Sequence, residues 1–340
     1  MSSYNNSVST TKDYLKYLYS IGFNKSKYLT DDDVVNICDK VGVFKFKGYV
    51  KEVKHLSIKN IDDVLVMYFF DKYFSKILFD LTSRIESKLK SILVTECYKR
   101  TNNHFFYLIN ANHKWTNFKI DFPTLNNWKK HTSTLNPVEA YSHYILYYLQ
   151  NYDFIQNQKR YLGSNLLINN IDSITYNYPP FKYLIESASL GNVISFIESL
   201  KLRKIDINKQ ISPHFGVGKN TRIFKNYLER LNEVRNRVAH GGRIFNRTFR
   251  SATGVGKFYT LRASLNNHKS LDIYLFLFYM LNELESLNSI QDFKKYKVKK
   301  LFRDFKKDYI SNIDSLGLVK KYKRKDFENI EKMIFSKMSR

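Results

Sequence analysis

"IDDVLVMYFFDKYFSKILFDLTSRIESKLKSILVTECYKR", Ile61–Arg100, decides the fold. Along it Val64, Met67, Phe70, Phe74, Ile77, Leu78, Leu81, Ile85, Leu89 and Ile92 recur at spacings of mostly three and four. That period puts them on one face of an α-helix. No proline or glycine interrupts the run, so it forms one long helix or two in succession. Asp71, Arg84 and Glu86 interrupt or flank the apolar face.

The segments on either side read the same way. "YLTDDDVVNICDKVG" (Tyr28–Gly42) predicts a helix with Thr30 as N-cap, acids in its first turn and Gly42 at its end. "VFKFKGYVKEV" alternates apolar and basic residues, which predicts a short strand or turn. "VEAYSHYILYYLQN" (Val138–Asn151) predicts a helix within the aromatic, polar stretch 101–175. "NYPPFKYLIESASLGNVISFIESLK" starts helical after its proline pair, with a break expected at Gly191. Thr221–Ala239 puts Phe224, Tyr227, Leu228, Leu231, Val234 and Val238 on one face, and Gly241–Gly242 end it. "LDIYLFLFYMLNEL" (Leu271–Leu284) is too short to span a membrane and reads as part of a buried helix, Leu271–Leu287. Five prolines and twelve glycines in 340 residues are too few for a sandwich of tight turns, so the fold class is all-α.

Lys and Arg number 56 against 31 Asp and Glu, a net charge of +25 that favours a polyanionic partner, nucleic acid before membrane. Twenty-six tyrosines and twenty-six phenylalanines serve mainly the core and add stacking surfaces for unpaired bases. Two cysteines, Cys38 and Cys97, are too few for a disulfide framework or a cysteine zinc site and suit the cytoplasm. The first residues lack the basic start and apolar run of a signal peptide. The histidines form no metal-binding spacing, so no metal or other cofactor is expected. "HFGVGKN" lacks the spacing of a phosphate-binding P-loop and reads as a flexible basic loop carrying Lys219.

The chemistry concentrates in "LNEVRNRVAHGGRIFNR" (Leu231–Arg247). Asn236 and His240 are one helical turn apart, Arg235 and Arg237 lie beside them, and Arg243 follows the glycines. A histidine can take a proton from a ribose 2′-hydroxyl or return one to the leaving 5′-oxygen. An arginine fork can hold the scissile phosphate and its growing charge, and an asparagine can orient either group. Such a site cuts RNA without metal, leaving a 2′,3′-cyclic phosphate and a 5′-hydroxyl. The spacing alone is also satisfied by a histidine placed for the helix dipole.

Several blocks together narrow the choice. "NYLERLNEVRNRVAHGGRIFNR" resembles L-N-x-L-R-N-x-x-A-H-x-x-R-(L/I)-(W/F)-N-R, the signature of the abortive-infection Abi family of AbiD/AbiF type, with Leu231, Asn232, Arg235, Asn236, Ala239, His240, Arg243, Phe245, Asn246 and Arg247 matching. "KYLTDDDVVNICDKVGV", "FKFKGYV", "YFFDKYFSKILFDLTSRIESKLKSIL" and "YPPFKYLIESASLGNVISFIESL" resemble the family's other blocks, in order. The resemblance implies a HEPN-superfamily helical bundle, often dimeric, that serves antiphage defence as a metal-independent ribonuclease. It implies Arg235 and His240 as the catalytic pair with Asn236 beside them, and Asp71, Arg84 and Glu86 as bracing positions; Arg237 and Arg243, next to the histidine, are the further expected support. Some members associate with a small structured RNA, so the alternative expectation is an RNA-holding ribonucleoprotein without cleavage. Many members carry a second histidine where this chain has Gly241, and a facing protomer in a homodimer would supply it.

The expected organisation is an N-terminal region 1–60, a HEPN-like helical domain 61–290 with a helical insertion 101–175, and a basic helical tail 291–340. In that tail Lys294, Lys295, Lys297, Lys299, Lys300, Arg303, Lys306 and Lys307 are expected to grip RNA backbone, together with Arg247 and Lys219.

Overall fold

The computed structural model describes residues 10–53, 59–104, 106–108, 112–114, 181–244, 247–250, 303–304 and most of 273–281. Its helices are α1 Thr11–Ser20, α2 Asp31–Val41, α3 Val43–Val53, α4 Ile61–Tyr98, α5 Phe181–Ser187, α6 Leu190–Ser199, α7 Ile207–Ile211 and α8 Thr221–Ala239. Between α6 and α7 lies a small antiparallel hairpin, β1 Lys201–Leu202 with β2 Ile205–Asp206. The described residues are overwhelmingly helical, as the scarcity of breakers predicts.

The spine is α4, one unbroken helix of 38 residues, about 57 Å long at 1.5 Å per residue. Asn60 caps it by accepting from the Asp62 backbone N–H at 2.9 Å. Its apolar face is buried from Ile61 to Leu93, and α3, α5, α6, α7 and α8 all pack on it. Helix α8 runs back along it: His214, just before α8, lies 3.7 Å from Glu96, whereas Arg235 near its end lies 3.3 Å from Glu86.

Two expectations need correction. "VFKFKGYVKEV" is the helix α3, not a strand or turn. Its alternation is local, whereas Phe46, Tyr49, Val50 and Val53 are buried at helical spacing against the core. The remaining aromatic, Phe44, is 84% exposed. The break between α5 and α6 falls at Ala188–Ser189 rather than at Gly191. Ser189 decides it by capping α6, accepting from the Asn192 N–H at 3.3 Å. Gly191 then lies in the first turn, where a Cβ would meet Asn232 of α8 at 3.9 Å.

Helix α2 starts as its sequence predicts, with a capping box between Thr30 and Asp33. The start of the segment after α4 docks on α6: the Lys114 N–H donates to Ser199 at 2.8 Å, and the buried His113 ring bonds the Tyr107 carbonyl at 2.7 Å. Phe106, Tyr107, Phe181 and Phe196 form an aromatic cluster there, with the rings of Phe106 and Phe181 4.6 Å apart. The described part of the Leu271–Leu287 run is helical and buried, and Phe276 sits 5.0 Å from Tyr227 of α8. The helix expected at Val138–Asn151 and the tail, Arg303 and Asp304 apart, lie outside the described residues.

Candidate functional site

The motif occupies the last turn and a half of α8 and the turn that follows. Helices commonly end on a residue with positive φ, and here that residue is Gly241, at φ +61°. The Gly241 N–H donates to Val238 at 3.1 Å and the Gly242 N–H to Arg237 at 2.9 Å. These two bonds fasten the helix end and leave His240 as its exposed final cap. Gly242 sits in a tight space: a Cβ there would lie 3.0 Å from Arg237 Cγ and 3.2 Å from its carbonyl oxygen.

Arg235 and Asn236 touch through their side chains, and His240 lies one helical turn beyond Asn236. The Arg235 Nη1 donates to Asn236 Oδ1 at 3.4 Å, and the Asn236 carbonyl accepts the His240 N–H at 3.0 Å. The Arg235 Nε is 3.3 Å from Glu86 of α4. Glu86 also pairs with Lys90 at 2.9 Å, and Lys90 donates to the Glu186 carbonyl at 3.2 Å. Arg235 is thus held to the spine through one N–H, while Asn236 and His240 are exposed.

Asp71 works on the segment beyond the glycines. It is 2% exposed and accepts the Ile244 N–H at 3.0 Å and the Tyr49 hydroxyl. Burial, then the Asp71 carboxylate, pushes the Tyr49 phenol well above its ordinary value. Arg243 donates to the Gly48 carbonyl, and its guanidinium lies 6.0 Å from the centre of the Tyr49 ring. One buried carboxylate therefore joins α3, α4 and the chain leaving the motif.

The other sequence candidates divide. Arg237 packs 5.4 Å from the Phe249 ring and 3.9 Å from Glu233, which makes it part of the turn's packing. Arg84 is exposed, two residues from Glu86 and so on another side of α4. Arg247, the last residue of the motif, is exposed. Lys219 precedes the opposite end of α8, roughly 28 Å from the motif. Arg303 is exposed beside Asp304, while Lys294, Lys295, Lys297, Lys299, Lys300, Lys306 and Lys307 lie outside the described residues, as do Phe245 and Asn246. Sequence reading missed Lys90, whose i,i+4 spacing from Glu86 is a legible signal. It also gave Gly48 and Tyr49 no role in bracing the motif.

The fold and site define an all-α protein that presents an Arg–Asn–His set at the end of one helix, braced against a long spine. Residues 36–246, well over half of the chain, match the family model described as Abi-like protein. The chain belongs to that family and is a bacterial abortive-infection protein. Nothing among curated proteins or solved structures matches it significantly. Among the described residues no helix is long and apolar enough to cross a membrane, and no group of three His, Cys, Asp or Glu is placed to hold a metal ion.

Proposed function

We propose that this abortive-infection protein is a metal-independent endoribonuclease of the HEPN type, acting as a homodimer. The observation that carries the reading is Arg235. Glu86 anchors its Nε, Asn236 faces Nη1, and His240 ends the same helix in solvent. Anchoring an arginine on one edge fixes its fork and leaves the rest of the fork to receive a phosphate. His240 then exchanges the proton between the ribose 2′-hydroxyl and the leaving 5′-oxygen. Asn236 steers the phosphate or the imidazole. The second histidine comes from a facing protomer, since Gly241 stands where a chain neighbour of His240 would otherwise supply it.

The test is incubation of the purified protein with RNA in excess chelator. Cleavage by the wild type, lost in Arg235→Ala and in His240→Ala with RNA binding retained, is the expected outcome. Equal cleavage by all three proteins refutes the site.

A second reading keeps the same surface for holding a small structured RNA without cutting it. Gly241 in the place of the second histidine favours it, together with the net charge of +25. A discrete RNA that co-purifies intact with the wild type, and no cleavage in either enzyme or variant, selects this reading.

A further inference from the structure

Beside the motif turn is a cavity of about 510 Å³, walled by the end of α2, by α3, by α4, by Gly241, Gly242 and Arg243, and by Arg247. Six of its thirteen lining residues are cations: Lys40, Lys45, Lys51, Lys72, Arg243 and Arg247. Among the described residues no carboxylate lines it. Among the described residues Lys40, Lys45, Lys51, Lys72 and Arg247 form no ion pair. Asp71, which reaches the cavity wall through Tyr49, is buried and already accepts two hydrogen bonds. So many cations around one hollow repel one another, and a bound polyanion removes that cost.

The aromatic residues of the wall say which polyanion. Phe44 is 84% exposed although large apolar side chains gain most from burial, and the Lys47 ammonium stands 5.5 Å from its ring centre. Tyr68 is half-buried in the wall, with the Lys72 ammonium 5.8 Å from its ring centre. A cationic groove with accessible rings is the composition that binds unpaired nucleotides, phosphates on the charges and base on the ring. The volume lies within the range of about 300–1,000 Å³ usual for small-ligand sites. Gly241 joins the cavity to the motif: the Lys45 ammonium lies 3.7 Å from where a Cβ at Gly241 would stand, beside the turn after His240.

We infer that this cavity is a nucleotide pocket that takes one unpaired residue of an RNA strand next to the bond presented to His240, with its phosphates among Lys45, Lys72 and Arg247 and its base against Phe44. The inference rests on RNA being the polymer that the motif acts on. A free nucleoside phosphate offers the same chemistry, and the test separates the two sources.

Binding of a short fluorescent single-stranded RNA is measured by anisotropy in the His240→Ala protein, so that the RNA stays whole and cleavage does not enter. Adding Lys45→Ala/Lys72→Ala is expected to weaken binding at least 10-fold and to lower the salt slope by about 1.4, at about 0.7 per phosphate contact. Adding Phe44→Ala is expected to weaken binding about 5-fold or more without changing that slope. The control, Lys201→Ala/Lys209→Ala, removes the same charge from the hairpin and α7 at the far end of α4 and is expected to cost less than 3-fold. Unchanged affinity in the pocket variants, an equal loss in the control, or equally effective competition by polyglutamate overturns the pocket. Competition by AMP at concentrations near those of the RNA assigns it to a free nucleotide; competition only by RNA assigns it to the strand. Loss of binding in the pocket variants alongside a wild type that never cleaves leaves the pocket standing and removes the ribonuclease reading. Normal binding in the pocket variants alongside cleavage abolished by His240→Ala does the reverse.

Discussion

Asp71 and Glu86 stand on the same helix and both reach the motif, yet they differ in kind. Asp71 is buried and spends its oxygens on a backbone N–H and a phenol. Glu86 is less deeply buried, its side chain still 13% exposed, and holds one edge of Arg235. A buried carboxylate loses its hydration, so it persists only where hydrogen bonds replace that hydration, and removing it leaves those partners unsatisfied. A carboxylate near water adds little stability but fixes the direction of its partner. The spine therefore offers the motif a frame at one level and an aligned guanidinium at another. Fold and proposed chemistry should respond separately to changes at the two.

The largest expected effect belongs to neither carboxylate. Arg235→Ala or His240→Ala is expected to lower RNA cleavage by about 10²–10⁴-fold, with urea unfolding shifted by less than about 1 kcal/mol because the side chains are not buried. Asp71→Ala is expected to cost about 3 kcal/mol in the same unfolding measurement. Its cleavage per folded molecule should stay closer to wild type than that of His240→Ala. Glu86→Gln is expected to do the opposite: about a 10-fold loss of cleavage and a stability change below about 1 kcal/mol. If Glu86→Gln destabilises as much as Asp71→Ala, the two carboxylates do one job and the contrast fails.

The smallest effect sharpens the contrast by lying outside it. Burial holds His113 below its usual value, and His104 likewise. The folded chain therefore binds fewer protons there than the unfolded chain as the pH falls below about 6.5. The stability these groups contribute is present above that pH and is lost as the pH drops through their lowered values. Thermal melts at about pH 7.5 and about pH 5.5 should show a drop in Tm that is reduced in His113→Gln and unaltered in Glu86→Gln.

The helical class was legible because α4 and α8 carry their apolar residues at helical spacing, and the Thr30 cap and the glycines after His240 marked ends by local chemistry. Helix α3 was misread because four alternating residues, Phe44 to Lys47, satisfy a strand's period, and only the burial of Phe46, Tyr49, Val50 and Val53 reveals the helical one. The hairpin at Lys201–Asp206 turns through Arg203 and Lys204, both at positive φ, without the glycine or asparagine that would announce it. Arg235, Asn236 and His240 could be picked out because they are neighbours in sequence. The pocket could not, since Lys45, Lys72 and Arg247 reach one cavity from three separate segments and only packing assembles them.

The most direct measurement is the chemistry of the cut ends. RNA incubated with purified wild type in excess chelator, and in parallel with His240→Ala, is analysed by mass spectrometry. Attack by the ribose 2′-hydroxyl at the Arg235–His240 site predicts fragments ending in 2′,3′-cyclic phosphate and beginning with 5′-hydroxyl, present with the wild type and absent with the variant. Fragments ending in 3′-hydroxyl, or the same cyclic ends in both samples, would contradict it.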